Sequence, residues 1–290
     1  MLTGAMTALV TPFRAGEVDL RALGALVEEQ IAAGVHALVP CGSTGEAATL
    51  THEEHVAVVR EVVRVARGRV PVIAGTGSNS TAEAIRLTRG AQDVGATAAL
   101  LISPYYNKPT QEGIYRHYVA VAEATKLPLI VYNIQGRTAS NITPETLGRL
   151  SRVPNIVGVK EASGSLAQVL EIIAATGPDF AVYSGDDVLT LPIMAVGGKG
   201  VIAVGANVLP HEYVELADAL LGANLERARS LMHRLLPFMN AMSLEVNPIP
   251  VKTALALMGR CAEEFRLPLT CMSGPARAKL EGVLREYALV

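Results

Sequence analysis

The sequence has no tryptophan, and aromatic residues make up only 4% of its 290 residues. Proteins that bind single-stranded nucleic acid stack bases on aromatic side chains, so this scarcity disfavours that class of function. The net charge of −2 gives no strongly basic surface for nucleic acid or a membrane. No apolar run is long enough to cross a bilayer. Because 50% of the residues are hydrophobic, the composition indicates a globular protein with a large core.

Cysteine is also scarce, with three residues in the chain, Cys41, Cys261 and Cys271. A small, odd number of cysteines is typical of reduced thiols and not of a disulfide framework. The first six residues carry no basic segment ahead of an apolar run, so we expect no export signal and a cytoplasmic protein. We interpret Cys41 as a buried, inert thiol, because no histidine is placed to activate it.

Strand-like apolar runs alternate with helix-like periodicity along most of the chain. Eight runs have the character of buried strands: 5–10, 37–39, 72–74, 98–102, 129–132, 156–160, 181–184 and 201–204. Eight such units, each followed by a helical pattern, predict a parallel (β/α)8 TIM barrel, which we place at residues 1–222. Three helical segments without strands follow, at about 225–242, 250–258 and 275–287. They predict a C-terminal helical extension over residues 223–290.

Polar residues mark several of the helix starts. Thr51 and Ser80 each precede a glutamate by three residues, which is the spacing of a capping box. Thr143 precedes a proline, a combination that is typical of an N-cap followed by the first helical residue.

A β-branched run at residues 156–159 ends on Lys160. Burial disfavours the charged form of a lysine and lowers its pKa, which makes a neutral, nucleophilic amine available near neutral pH. Such an amine can attack a ketone to form a Schiff base. The simpler interpretation is a stem that lies along apolar surface while the ammonium reaches solvent.

Further polar side chains follow the other predicted strands, and in a barrel of this kind they converge with Lys160 on one face. They are Ser43, Thr44, Tyr105, Tyr106, Tyr132, Arg137, Asp186 and Asp187. Tyr132 could transfer protons through its hydroxyl. The loop of Ser43 and Thr44 could hold a carboxylate, and so could Arg137. Simpler interpretations are a tyrosine that only packs, a tight turn and a solvated arginine.

Signals for metal and phosphate binding are weaker. Asp186 and Asp187 have no third carboxylate at ligand spacing, so we interpret them as a helix N-cap. His52 and His55 are three residues apart, whereas metalloprotease helices place two histidines four apart, and we expect both in a solvated first turn. The glycine-rich run 75–79 matches neither dinucleotide-binding nor P-loop spacing. The sequence therefore predicts carbonyl chemistry with an anion clamp and no metal.

These motifs, taken together, resemble the dihydrodipicolinate synthase and N-acetylneuraminate lyase family over essentially the whole chain. The motifs are Gly-Ser-Thr-Gly-Glu at 42–46, Pro-Tyr-Tyr-Asn-Lys-Pro at 104–109, Tyr-Asn at 132–133 with Arg-Thr at 137–138, Gly-Val-Lys-Glu at 158–161 and Ser-Gly-Asp-Asp at 184–187. The resemblance implies a lyase that condenses pyruvate with L-aspartate 4-semialdehyde to 4-hydroxy-tetrahydrodipicolinate, in the diaminopimelate route to lysine. It implies no metal and no organic cofactor, because a lysine does the covalent work.

The resemblance also implies roles for four residues in the chemistry. Lys160 falls on the family's Schiff-base lysine, and Tyr132 falls on its proton donor and acceptor. Ser43 and Tyr106 fall on a hydroxyl relay in which a neighbouring subunit lends the tyrosine. A homo-oligomer is therefore implied, and the family is usually a homotetramer.

Binding roles follow from the same resemblance. Thr44 and, through its backbone, Ile202 fall on the site for the carboxylate of pyruvate. Arg137 falls on the residue that receives the carboxylate of the semialdehyde, and sialic-acid lyases lack this arginine. Gln135 and Ala139 stand where synthases usually have proline and glycine, which leaves open a different shape for the loop.

A site for L-lysine as a feedback inhibitor is implied at a subunit interface. Its matching residues are His52, His55, Asn79, Glu83, Tyr105 and Ala48. Ala47 replaces a serine that is often found there. Two rival functions stay open: a sibling aldolase for a 2-keto-3-deoxy sugar acid, 4-hydroxy-2-oxoglutarate or N-acetylneuraminate, and a non-catalytic sensor of pyruvate or lysine. The sensor is disfavoured because Lys160 and Tyr132 are both present.

Overall fold

The computed structural model describes residues 2–290, in which eight parallel strands form a barrel with helices outside it. The barrel strands are β1 (Gly4–Ala8), β4 (Ala37–Val39), β5 (Ile73–Gly75), β6 (Ala98–Ile102), β7 (Leu129–Asn133), β8 (Ile156–Glu161), β9 (Ala181–Ser184) and β10 (Gly200–Ala203). They confirm all eight predicted strands, with small shifts at their ends. A hairpin of β2 (Phe13–Arg14) and β3 (Glu17–Val18), which the sequence did not predict, follows β1.

The strand pairing shows where the ends of the strands meet. Strands β5 to β10 pair in parallel in chain order, and β1 pairs with both β10 and β4. A parallel bridge between Leu38 and Val72 joins β4 to β5 and completes the ring. The register places Tyr132, Lys160 and Tyr183 side by side on β7, β8 and β9. The C-terminal ends of the strands therefore open at one mouth, where enzymes of this fold carry their active sites.

Helices surround the barrel and continue beyond it. They are α1 (Leu20–Ala32), α2 (His52–Ala66), α3 (Thr81–Asp93), α4 (Gln111–Glu123), α5 (Gln135–Thr138), α6 (Pro144–Leu150), α7 (Leu166–Ala175), α8 (Thr190–Ala195), α9 (Pro210–Leu221), α10 (Leu225–Ala241), α11 (Ile249–Leu257) and α12 (Gly274–Glu286). Single turns of 3-10 helix at Ala47–Thr49, Asp187–Leu189 and Gly205–Asn207 follow three of the barrel strands. Among residues 2–290, none of the helices combines the length and the apolar character that a membrane span needs.

Two of the three predicted helix starts have the expected capping. Thr51 accepts a hydrogen bond from the backbone of Glu54, whose side chain accepts from the backbone of Thr51 in return, so this capping box is confirmed. Thr143 caps α6 ahead of its proline, as predicted. The capping box predicted at Ser80 is wrong, because the side chain of Ser80 makes no capping bond. The carboxylate of Glu83 instead accepts a hydrogen bond from the hydroxyl of Ser78 and contacts the imidazole of His52.

Helices α10 to α12 confirm the three helical segments predicted after the barrel. Leu235 and Phe238 of α10 and Leu280 of α12 are fully buried, and they share one apolar cluster with Tyr213 of α9. Burial of this size stabilises by about 1.5–3 kcal/mol for each large apolar side chain. The extension is therefore packed onto the barrel, and the boundary drawn at residue 222 stays a prediction.

Candidate active site

Lys160 lies at the mouth end of β8, and its side chain is only 5% exposed. Its amine nitrogen is 4.4 Å from the centre of the Tyr132 ring on the neighbouring strand. Burial lowers the pKa of Lys160 to about 8, an effect that the positive charge of Arg137 adds to and the carboxylates of Asp187 and Asp186 oppose. At neutral pH the neutral fraction of this amine is roughly two orders of magnitude larger than that of an exposed lysine. The chain therefore carries an amine that can act as a nucleophile.

A cavity of about 340 Å³ opens above Lys160 at the C-terminal ends of the strands. Its wall includes five residues that the resemblance assigns to the reaction, Ser43, Thr44, Tyr132, Arg137 and Lys160, together with Asp186 and Asp187. It also includes residues of the C-terminal extension, namely Met239, Asn240, Met242, Ser243 and Asn247. The sequence assigned no site residue to the extension, so this part of the wall was missed.

Tyr132 is buried beside the lysine, and burial raises the pKa of its hydroxyl to about 12. The nearby guanidinium of Arg137 and the hydroxyl of Ser43 act in the opposite direction, but they do not cancel the effect of burial. Tyr132 is therefore protonated at neutral pH and can donate a proton to a reacting group and retake it later.

Asn247 connects the two anion-binding groups that the sequence predicts. Its side-chain amide donates to the hydroxyl of Thr44 at 3.0 Å, and its backbone carbonyl accepts from the guanidinium of Arg137 at 2.9 Å. An arginine has five N–H donors, so the bond to Asn247 leaves others for a ligand. Nothing in the local sequence marks Asn247, because its partners lie 203 and 110 residues away.

The loop that carries Arg137 is one turn of helix, α5, in which Gln135 is the first residue. Proline is favoured at that position, since the N–H it lacks has no partner within the helix. Ala139 ends the turn with φ of 56°, in the left-handed region that favours glycine. The backbone of the loop therefore has the conformation that proline and glycine favour at these two positions. Arg137 faces the cavity although Gln135 and Ala139 stand in their place.

The two aspartates after β9 have different surroundings. Asp186 caps the short helix after it, as predicted, by accepting from the backbone of Val188. Asp187 is buried, and its carboxylate accepts from two backbone N–H groups after β10, at 3.0 and 2.8 Å, and from the Tyr213 hydroxyl at 2.6 Å. In the part of the chain that the structure describes, no group of three histidine, cysteine or acidic residues could hold a metal ion.

Tyr106, Ile202 and Cys41 do not line this cavity. The Tyr106 side chain is 87% exposed and does not reach the site of its own chain. Ile202 is fully buried inside the barrel, and Val204 lines the cavity in its place. Cys41 is buried and its sulfur donates to the carbonyl of His55, while burial raises the pKa of the thiol far above its usual range. The prediction that Cys41 is buried is confirmed.

A second cavity of about 220 Å³ adjoins the first and shares Ser43 and Tyr132 with it. Of the residues matched to an L-lysine site, five line this cavity: His52, His55, Glu83, Tyr105 and Ala48. Asn79 does not line it, and its carbonyl instead accepts from the side chain of Asn107.

His55 is not in a solvated turn, so that prediction is wrong. Its side chain is buried, and its Nε2 lies 2.7 Å from the carbonyl oxygen of Gly75. Its Nδ1 is buried and has no hydrogen-bond partner among the described residues. Burial lowers the pKa of His55, which keeps the ring neutral. His52 is partly exposed, with its Nε2 at 2.7 Å from the carboxylate of Glu83.

Comparison with known proteins agrees with this geometry. The model of the dihydrodipicolinate synthetase family matches residues 1–287. The 4-hydroxy-tetrahydrodipicolinate synthase of Trichlorobacter lovleyi is 54% identical over 290 residues, which are the whole of both chains. The dihydrodipicolinate synthase of Acinetobacter baumannii, solved in complex with pyruvate, superposes with a TM-score of 0.98 at 45% identity over 100% of both chains. The enzyme of Cyanidioschyzon merolae, solved with lysine bound, gives a TM-score of 0.97 at 41% identity, over 100% of this chain and 99% of that one. The chain described here belongs to the dihydrodipicolinate synthetase family.

Proposed function

We propose that this protein condenses pyruvate with L-aspartate 4-semialdehyde to give 4-hydroxy-tetrahydrodipicolinate, in the diaminopimelate route to lysine. The observation that carries the proposal is the buried, cavity-facing amine of Lys160, with the carboxylate-binding groups Thr44 and Arg137 on the same wall. The curated relative that matches the whole chain bears the name of this enzyme.

The reaction begins with an imine. The neutral amine of Lys160 attacks the ketone carbon of pyruvate, and water leaves as the carbon–nitrogen double bond forms. Tyr132, which is protonated at neutral pH, supplies the proton that converts the departing hydroxyl to water. The imine then draws electrons from the methyl group, which loses a proton and gives an enamine.

The enamine carbon attacks the aldehyde of the second substrate and forms the new carbon–carbon bond. The amino group of that substrate then attacks the imine carbon, the bond to Lys160 breaks, and the six-membered ring closes. The lysine is regenerated, so the net by-product is the one water lost at imine formation. Ser43, which lines the cavity with Tyr132, relays the protons that these steps release and take up.

The two carboxylates bind to different groups of the cavity wall. Thr44 holds the carboxylate of pyruvate, together with the backbone near Ile202 at the end of β10. Arg137 takes the carboxylate of the semialdehyde in a bidentate pair, since the bond to Asn247 uses only one of its donors. This second charge would distinguish the semialdehyde from aldehydes that carry no acid group.

Tyr106 completes the relay in a neighbouring copy of the chain. The side chain of Tyr106 is exposed, and its φ of 72° is a strained backbone conformation for a tyrosine. Contact with a second subunit would offset the free-energy cost of this strain. We therefore propose a homo-oligomer, and by its family a homotetramer, acting in the cytoplasm. Sedimentation of the wild type would test this, because a monomer with full activity would contradict a borrowed tyrosine.

L-lysine inhibits by binding in the second cavity. The carboxylate of Glu83 and the ring of His52 supply polar partners for an amino acid, and Tyr105 closes one side. Asn79 would join them from the edge of the site. Because this cavity shares Ser43 and Tyr132 with the active site, an occupant there would contact the proton relay. Titration of L-lysine into the assay below, to millimolar concentration, tests this, and an unchanged rate would exclude inhibition.

The catalytic proposal is tested by two measurements on one preparation. The first couples turnover of pyruvate and the semialdehyde to NADPH consumption by the next reductase. The second treats the protein with pyruvate and borohydride, which should add a pyruvate-derived mass at Lys160. Turnover together with the adduct is expected. An adduct without turnover would indicate an aldolase for another aldehyde, and absence of both would indicate a sensor.

A further inference from the structure

A second lysine, Lys252 on α11, is buried as deeply as the catalytic one. Its side chain and that of Glu46 are both fully removed from solvent, and the amine nitrogen lies 2.5 Å from a carboxylate oxygen of Glu46. The other carboxylate oxygen accepts from the backbone N–H of Arg266 at 3.3 Å. The amine also lies 4.0 Å from the centre of the Phe13 ring. Neither Lys252 nor Glu46 lines the active-site cavity.

An ion pair at this depth is a poor source of net stability, because the desolvation of two charges offsets their attraction. A hydrophobic pair of the same volume would hold two elements together at least as well. What the charged pair adds is geometry, since the short contact fixes where the carboxylate of Glu46 can lie. The place it fixes is the last residue of the Gly-Ser-Thr-Gly-Glu motif.

The loop from Gly42 to Glu46 is a tight turn whose position depends on that residue. The backbone N–H of Glu46 donates to the carbonyl of Ser43 at 3.2 Å, and Glu46 itself has a left-handed φ of 52°. At Gly45, a Cβ would come within 3.0 Å of the backbone nitrogen of Cys41. A shift of Glu46 would therefore be passed to Ser43, because the turn has little room to absorb it.

The C-terminal extension thus holds this loop at two points. Asn247 binds the hydroxyl of Thr44, and five residues further along Lys252 binds Glu46. Thr44, which is one of these two points, is the residue of the loop that is assigned to the carboxylate of pyruvate. The extension reaches the substrate site through contacts that cross more than 200 residues of sequence.

We propose that Lys252 and Glu46 are positioning residues for pyruvate: the buried pair sets the loop of Ser43 and Thr44 in the conformation that binds the carboxylate. The inference rests on the proposed function and deepens it, because it names what holds the pyruvate site in place. It assigns part of the binding affinity for the first substrate to the C-terminal extension.

The test is the double variant Glu46→Gln with Lys252→Met, which removes both charges at nearly constant volume and so leaves no unpaired buried ion. We expect a raised KM for pyruvate and a raised half-saturating pyruvate concentration for borohydride trapping, both by about tenfold or more, since a small misplacement of binding groups has effects of this size. The KM for the semialdehyde should stay close to that of the wild type. A tether with only a structural role would lower the melting temperature and leave the pyruvate KM unchanged.

A matched control is Arg277→Met, which breaks an ion pair between Arg277 and Glu263 inside the extension. Its pyruvate KM should equal that of the wild type. A second variant, Glu46→Asp, keeps the charge but shortens the side chain by one methylene, which pulls the loop toward Lys252 or breaks the contact. It should also raise the pyruvate KM, and it serves if the double variant does not fold.

The outcomes separate this inference from the proposed function. No adduct at Lys160 in the wild type would overturn the function itself. An adduct in the wild type, together with an unchanged pyruvate KM in a folded double variant or in Glu46→Asp, would overturn the positioning role alone. A pyruvate KM that rises equally in Arg277→Met would also overturn it, because the effect would then belong to the extension as a whole.

Discussion

The two buried lysines of this chain have the same residue type and opposite uses. Burial lowers the pKa of both. Lys252 lies against a carboxylate and two aromatic rings, is fully removed from solvent and does not line the active-site cavity. Lys160 lies under a cavity, and among residues 2–290 no carboxylate forms an ion pair with it. Burial alone therefore does not make a lysine a nucleophile. The amine must also lack a contacting anion and face space that a substrate can enter.

The largest expected effect separates the two lysines by activity. Lys160→Met should lower kcat/KM by at least about 10³-fold, as loss of a covalent nucleophile does, and should abolish the borohydride adduct. Lys279→Met removes an exposed lysine and is the matched control, with wild-type activity expected. Steady-state kinetics and intact-mass analysis measure both. An adduct that persists in Lys160→Met would assign the chemistry to another amine.

Lys252→Met should lower the stability of the fold, in addition to the weakened pyruvate binding proposed above. It leaves the carboxylate of Glu46 buried without its cation, which costs about 3–5 kcal/mol in the free energy of unfolding. Adding Glu46→Gln should recover most of that loss, because the unpaired charge is then gone. Urea denaturation of the single and double variants measures the difference. Equal stability of the two would show that the pair is not charged in the folded protein.

The pH dependence of stability sharpens the comparison at Lys160. Its folded-state pKa of about 8 is below that of an unfolded lysine, about 10.4, so the unfolded state binds more protons between these values. The stability of the wild type therefore rises with pH across that window. Below the window, the folded protein bears the full free-energy cost of burying the charged amine of Lys160. Lys160→Met should be more stable than the wild type at pH 7, and the advantage should shrink as the pH approaches 10. A difference that is independent of pH would contradict the lowered pKa.

The carboxylate of Asp187 should influence the pKa of the Lys160 amine. It raises the pKa of Lys160, so Asp187→Asn should move the alkaline rise in the rate of imine formation to lower pH. Tyr213→Phe removes a hydrogen bond to the same carboxylate but keeps its charge, and should leave the pH profile near that of the wild type. Borohydride trapping at a series of pH values measures both variants. A profile that moves to higher pH in Asp187→Asn would exclude this electrostatic role.

The local pattern of the sequence was enough to predict the barrel and the position of Lys160, but not Lys252. Eight apolar runs gave the barrel, and parallel strands bring their C-terminal ends to one mouth, so Lys160, Tyr132 and Arg137 could be placed together. Lys252 and Asn247 could not be found in this way. They lie in or beside an apolar helical run, and their partners are more than 100 residues away.

The errors have the same physical origin. The spacing at Ser80 is right for a capping box, but Glu83 finds closer partners in Ser78 and His52, which the spacing cannot show. His55 lies in the first turn of α2, which is a solvated place in an isolated helix. Packing of α2 against the barrel buries it beside Gly75. The contact of Glu83 with His52 and the packing of His55 against the barrel are tertiary contacts, which decided between outcomes that the local sequence allowed.

The smallest expected effect concerns the loop whose arginine lowers the pKa of Lys160. Ala139 has a left-handed backbone that costs an L-residue about 1–2 kcal/mol relative to glycine, so Ala139→Gly should stabilise the fold by about 1 kcal/mol at most. Gln135→Pro should be close to neutral, since the residue is the first of its helical turn. Thermal unfolding measures both. If either variant changes the KM for the semialdehyde while that for pyruvate is constant, the loop conformation, and not only the presence of Arg137, sets the choice of the second substrate. If neither KM changes, Arg137 faces the cavity equally well with either pair of residues, and the two departures from the family pattern have no bearing on function.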